Sequence, residues 1–234
     1  MKRRRTLRYL DRLWATDIAL TSLLVFLLIY IFFLYPLGQI GAFRALSTGF
    51  WSLILITGAI TASRNRIFRT LVFSWGLLTF VFLWTKYLFP HETLIFVANC
   101  LALSFLVLLV SLILSQAFRD GQATSHRIMG AVAAYLILGL IWSLAYNLMA
   151  LRIPGAFSIQ GHSPPDDIES VQSHLFYFSF ITLTTLGYGD IVAVHPMART
   201  LVILEGVTGQ LFPAILIARL VSLQVQSKRK TQSD

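Results

Sequence analysis

The amino-acid sequence predicts an all-α membrane protein, with six transmembrane helices and a short re-entrant helix between the fifth and the sixth. Three observations carry this. Of 234 residues, 56% are hydrophobic and only 12% charged, far from the balance of a soluble domain. Six apolar runs approach the roughly 20 residues that a helix needs to cross a hydrocarbon core. The basic residues between those runs fall mostly on one side.

Residues 1–17 form a basic, interfacial start, with Leu7, Leu10, Leu13 and Trp14 at roughly helical spacing. The first span, residues 18–37, follows a basic segment as a signal peptide would, but it is too long and no small-residue cleavage site comes after it, so it is expected to remain as a helix. Residues 45–63 are uncharged, and residues 70–89 hold Lys86 near one end, where its stem can reach the interface. Residues 93–118 carry no charge and contain the only cysteine, Cys100, which excludes an intramolecular disulfide. These four spans make a membrane domain over residues 18–118. The polar bridge Arg119–Arg127 (RDGQATSHR) marks its boundary.

The second unit, residues 128–225, is organised differently. A fifth span, residues 128–151, leads into an external loop over residues 152–171 rich in Pro, Gly and acids. Residues 172–184 (QSHLFYFSFITLT) are apolar but only 13 long, too short to cross and suited to a re-entrant helix. Residues 185–190 come next, then a last helix over residues 196–223 and a short tail, residues 224–234, too small for a sensing domain. Within the last helix Glu205 is expensive at membrane depth and demands a partner or a function.

Fifteen of the 19 Lys and Arg residues flank one set of span ends, and Arg44, Lys86, Arg152 and Arg199 flank the other. The positive-inside bias therefore puts both termini in the cytoplasm, in agreement with an even number of spans. The net charge of +9 is strung along loop ends as topology requires, and nucleic acid is not an expected partner. No HExxH, GxSxG or Walker A pattern is present, nor a cluster of intramembrane carboxylates, so an enzyme is not expected.

The re-entrant helix runs into TLTTLGYGD (Thr182–Asp190). Non-helical backbone at membrane depth is tolerated only where it is buried or lines a watery cavity. Glycines at 187 and 189 permit positive φ, so that alternate residues can turn their carbonyl oxygens to one side. Four copies around an axis would stack those oxygens in rings able to replace a cation's hydration shell, with the Thr185 hydroxyl as the innermost ring.

Thr184–Asp190 resembles the signature of the potassium channel pore family, and the similarity runs through both flanks over roughly residues 128–225. The resemblance implies a potassium-selective channel of four identical subunits in the plasma (inner) membrane. K+ is then the permeant ion, held at Thr185, Leu186, Gly187 and Tyr188 with Gly189 completing the filter, and no cofactor is implied. It implies a supporting cuff from Phe176, Tyr177, Phe178 and Phe180, with the Tyr177 hydroxyl bonding Asp190 behind the filter and Thr184 and Arg199 beside it. Some bacterial relatives carry a pore-helix glutamate next to the aspartate, where this chain has Ile181. In the inner helix, Gly209 matches a hinge position and Pro213 follows one turn on. Gln210, Pro213, Ile217 and Val221 would face the conduction path, the last two as a hydrophobic constriction. Glu205 resembles a glutamate of bacterial inward-rectifier-like channels and is expected at the cavity or bonded to the pore helix.

The fourth span lacks the repeated arginines of a voltage sensor, so little intrinsic voltage sensing is expected and a gating ligand remains unidentified. Alternatives are a weakly selective cation channel and an accessory subunit whose pore module is silent. His162, His174 and His195 with Asp166, Asp167 and Glu169 lie on the outer side, scattered as loop residues ordinarily are.

Overall fold

In the computed structural model, residues 20–35, 44–61, 66–117, 125–159 and 168–233 are described. Helix α1 (Leu20–Leu34) is followed by α2 (Arg44–Thr61), α3 (Arg66–Leu88), α4 (Glu92–Ala117) and α5 (Ser125–Arg152). Strand β1 (Phe157–Ile159), α6 (Ile168–Leu183), β2 (Ile191–Ala193) and α7 (Pro196–Ser233) complete the order. Among the described residues, four helices are long and apolar enough to cross a membrane, over Thr70–Leu88, Glu92–Ser115, Ile128–Arg152 and Pro196–Arg219. The described parts of the first two predicted spans are the shorter apolar helices Leu20–Leu34 and Ala45–Ala59. Residues 1–17 and much of the 119–127 bridge lie outside the described residues.

Two apolar cores organise these helices. The first joins α1, α2, α4 and α5 through Leu23, Leu27, Ile54, Phe105, Leu109 and Ile137, all buried. The second lies beside α6, where Tyr146, Phe157, Leu175, Phe178, Ile181 and Ile191 pack together. Helix α3 gives Val72 and Leu83 to the first core and leaves Leu71, Phe73, Leu77 and Val81 exposed, the surface expected of a helix facing lipid.

Helix α1 ties the first core to α6. Its last turn, Tyr30–Leu34, is a π turn closed by the Tyr35 N–H on the Tyr30 carbonyl. Residues five apart on a regular α-helix point roughly 140° apart, yet here Tyr30 and Tyr35 both reach Phe176 of α6. Tyr35 stacks on it with ring centroids 3.5 Å apart, and Tyr30 meets it edge-on at 6.4 Å. The Tyr35 hydroxyl donates to the Gln172 carbonyl at 2.7 Å, and Trp51 of α2 donates to the Tyr30 hydroxyl at 2.7 Å. Removing the Tyr35 hydroxyl while keeping the ring, Tyr35→Phe, should cost about 0.5–1.5 kcal/mol and lower the thermal midpoint slightly. Tyr35→Ala, which also loses the stack, should lower it further.

Three sequence expectations are corrected. The re-entrant helix expected over residues 172–184 spans Ile168–Leu183, because Ile-Glu-Ser-Val ahead of Gln172 is free of Gly and Pro and extends it. The loop expected over residues 152–171 contains a strand: β1 pairs antiparallel with β2, Phe157 opposite Ala193 and Ile159 opposite Ile191. The tail expected after residue 223 continues α7 to Ser233, since the sequence after Pro213 contains no Gly or Pro to break a helix.

Candidate ion pathway

Helix α6 ends in a Schellman arrangement, with the N–H of Thr185 on the Thr182 carbonyl at 2.9 Å and the N–H of Leu186 on the Ile181 carbonyl at 2.8 Å. The N–H of Gly187 reaches the same Ile181 oxygen at 3.2 Å, and the Thr184 hydroxyl donates back to Phe180 at 2.6 Å. The residue after a helix stop of this kind takes positive φ and is usually glycine. Here it is Thr185, with φ of 61°. A β-branched residue in that region is a true outlier and stores on the order of 1–2 kcal/mol.

Gly187 and Gly189 follow with φ of 54° and 79°. Positive φ therefore recurs at 185, 187 and 189, where sequence reasoning assigned it to the two glycines alone. Such an alternation allows successive carbonyls to turn toward a common side, while the N–H groups of 185–187 are occupied by α6. The segment lies open: Leu186 is 59% and Tyr188 70% exposed, and no protein atom lies within 4 Å of a Cβ built at Gly187 or Gly189.

Beside this segment the Tyr177 hydroxyl is hydrogen-bonded to the Asp190 side chain. Asp190 Oδ1 is buried and has no partner among the described residues. Arg199 does not supply one. Its Nε donates to the Ala193 carbonyl at 3.2 Å, at the end of β2. Phe178 is buried against Tyr146 and Phe157, and Phe180 packs on Phe176, so the aromatic residues of α6 divide between the two cores and do not form one layer.

The exit of the segment is held by the β1–β2 pair, and the N–H groups of Val194 and His195 both donate to Ala156. Short strands of three residues gave no sequence signal. His195 Nδ1 accepts the Met197 N–H at 3.2 Å at the start of α7, and His174 bonds the Ser170 carbonyl within α6. Among the described residues no group of His, Cys, Asp and Glu is placed to hold a metal; His162, Asp166 and Asp167 lie outside them.

Helix α7 runs unbroken through Gly209 and Pro213. Gly209 is buried, and a Cβ built on it would fall on the Leu183 carbonyl group at the end of α6. That oxygen also accepts the Tyr135 hydroxyl at 3.0 Å. Gln210, Ile217 and Val221 are exposed, with Pro213 partly so, along one open stripe. Glu205 is not on that stripe. It is 0% exposed, enclosed by α5, α6 and α7, and bonded to Ser179 and Tyr146.

Residues 161–226 match the family described as an ion channel. The chain is 31% identical over 85 residues to an inward rectifier potassium channel, Kirbac3.1, of Paramagnetospirillum magnetotacticum, covering 35% of this chain and 24% of that protein. It is 28% identical over 87 residues to protein LctB of Bacillus caldotenax, covering 37% of this chain and 64% of that protein. The chain thus aligns with less than two thirds of either relative's length. No solved structure matches it. The family match and the Kirbac3.1 relative support the resemblance to the potassium channel pore family.

Proposed function

We propose that the protein is the subunit of a potassium-selective channel, in which four copies surround one pore and K+ passes down its electrochemical gradient. The observation that carries this is the alternation of positive φ at Thr185, Gly187 and Gly189 on an exposed segment whose N–H groups are tied back to α6. Carbonyls that this alternation can gather on one open side have a purpose when copies complete a ring around a dehydrated cation. The α6 dipole adds to this, since its negative C-terminal end lies at the start of the same segment. The exposed apolar side chains Ile203, Leu204, Val207, Leu211 and Ile215 of α7 give the module a surface for its copies or for lipid. In this reading the protein lies in the plasma membrane with six spans, a re-entrant α6 and cytoplasmic termini.

The test is flux. Purified protein reconstituted in liposomes should pass K+ in strong preference to Na+, and the two ions passing equally would refute the selectivity. A weakly selective cation channel is favoured by one feature: Asp190 Oδ1 lacks a partner among the described residues, and Arg199 is engaged elsewhere.

Gating by voltage should be weak. Helix α4 carries no Lys or Arg, and Lys86 at the outer end of α3 bonds Asn99 at 3.1 Å. The steepness of the conductance–voltage relation should correspond to far fewer than the roughly 12 elementary charges that four arginine-rich sensors supply. A relation of that steepness would show a sensor that these helices do not provide.

A further inference from the structure

The buried carboxyl of Glu205 joins three helices, and its hydrogen bonds can be counted. The Tyr146 hydroxyl of α5 bonds Oε2, and Ser179 Oγ of α6 lies 2.6 Å from Oε1. The same Ser179 Oγ lies 2.8 Å from the Gly139 carbonyl of α5. Gly139 is part of the design, since a Cβ there would meet the Phe180 ring at 2.7 Å and hold α6 away from α5.

Three oxygen–oxygen contacts need three protons between them. Tyr146 and Ser179 each bring one. If Glu205 were an ionised carboxylate, Ser179 would face two acceptors, Oε1 and the Gly139 oxygen, with a single proton, leaving one pair of lone pairs in contact at under 3 Å. A bare carboxylate would also be buried without a counter-charge, since no Lys, Arg or His contacts Glu205 among the described residues. Such burial is expensive at membrane depth.

We infer that Glu205 is held as a neutral carboxylic acid that donates its proton from Oε1 to Ser179, completing a chain of donors from Tyr146 through Glu205 and Ser179 to the Gly139 carbonyl. All three protons then have acceptors. Ser179 stands two residues before Ile181, whose carbonyl holds the N–H groups of Leu186 and Gly187. Glu205 is thereby a positioning residue: it fixes α6, and α6 fixes the backbone of the filter. This role in conduction rests on the channel reading above, whereas the proton assignment does not.

Infrared spectroscopy of the reconstituted protein at neutral pH tests the assignment without reference to flux. A carboxylic-acid carbonyl band should be present in the wild type, absent in Glu205→Gln, and shifted in Ser179→Ala and Tyr146→Phe, which each remove one partner. No such band, or a band unchanged in Glu205→Gln, overturns the inference. The positioning role is read from the variants. Glutamine reproduces one donor and one acceptor, so Glu205→Gln should retain most of the wild-type K+ flux, while Glu205→Ala strands two buried hydroxyls and should lose at least about tenfold. Equal losses in both would refute the positioning role, and since Gln preserves shape it serves even if Ala fails to fold. The band present without K+ flux in the wild type would count against the channel reading alone.

Discussion

Gly209→Ala should damage the protein far more than Gly206→Ala, although the two glycines lie one turn apart on the same helix. At Gly206 no atom stands within 4 Å of an added Cβ. Alanine is there a better helix former than glycine, and the substitution should be neutral or stabilising by up to about 1 kcal/mol. At Gly209 the added carbon would fall on the Leu183 carbonyl. A side-chain tip can rotate away, but a backbone carbonyl at a helix end cannot, and this one is also bound by Tyr135. Overpacking of this kind costs about 1–3 kcal/mol or more, enough to shift the balance between seated and displaced α6 by roughly 5- to 150-fold.

The expected result is a lower thermal midpoint together with reduced K+ flux, both spared in Gly206→Ala. This separates close packing from the hinge that the sequence suggested at Gly209. A hinge substitution would alter opening while leaving the folded protein as stable as before. Loss of flux at unchanged thermal midpoint would therefore favour the hinge.

The division between what the sequence disclosed and what it hid follows from the range of the interactions. Spans legible from hydropathy depend on twenty neighbouring residues, and the helices over Glu92–Ala117 and Ser125–Arg152 lie close to where their apolar runs place them. The pattern Gly187-Tyr188-Gly189 is local too, and its positive φ values could be anticipated. Thr185 could not, because threonine is a poor signal for the left-handed region and the conformation there is imposed by the carbonyls of Thr182 and Ile181. The β1–β2 pair joins residues more than thirty positions apart through three-residue strands. The partners of Glu205 were equally out of reach, since Tyr146, Ser179 and Glu205 meet only after three helices have packed. The sequence marked Glu205 as costly, and the structure supplies the neighbours that relieve the cost.

Gly187→Asp should abolish K+ flux while leaving the fold nearly intact, and the reasons for the two halves of that expectation differ. The fold is spared because the site is open: no atom lies within 4 Å of a Cβ at Gly187, and aspartate tolerates φ of 54° better than most residues. The backbone cost is thus on the order of 1–2 kcal/mol per chain at most, and size and thermal midpoint should change little. Flux fails for a separate reason. In the proposed ring four carboxylates would stand beside the carbonyls where the cation must shed its water, binding it too tightly and narrowing the path. Conduction needs binding weak enough to release the ion. An intact, wild-type-sized protein without K+ flux would locate the pathway at this segment. Flux persisting in the same variant would place it elsewhere.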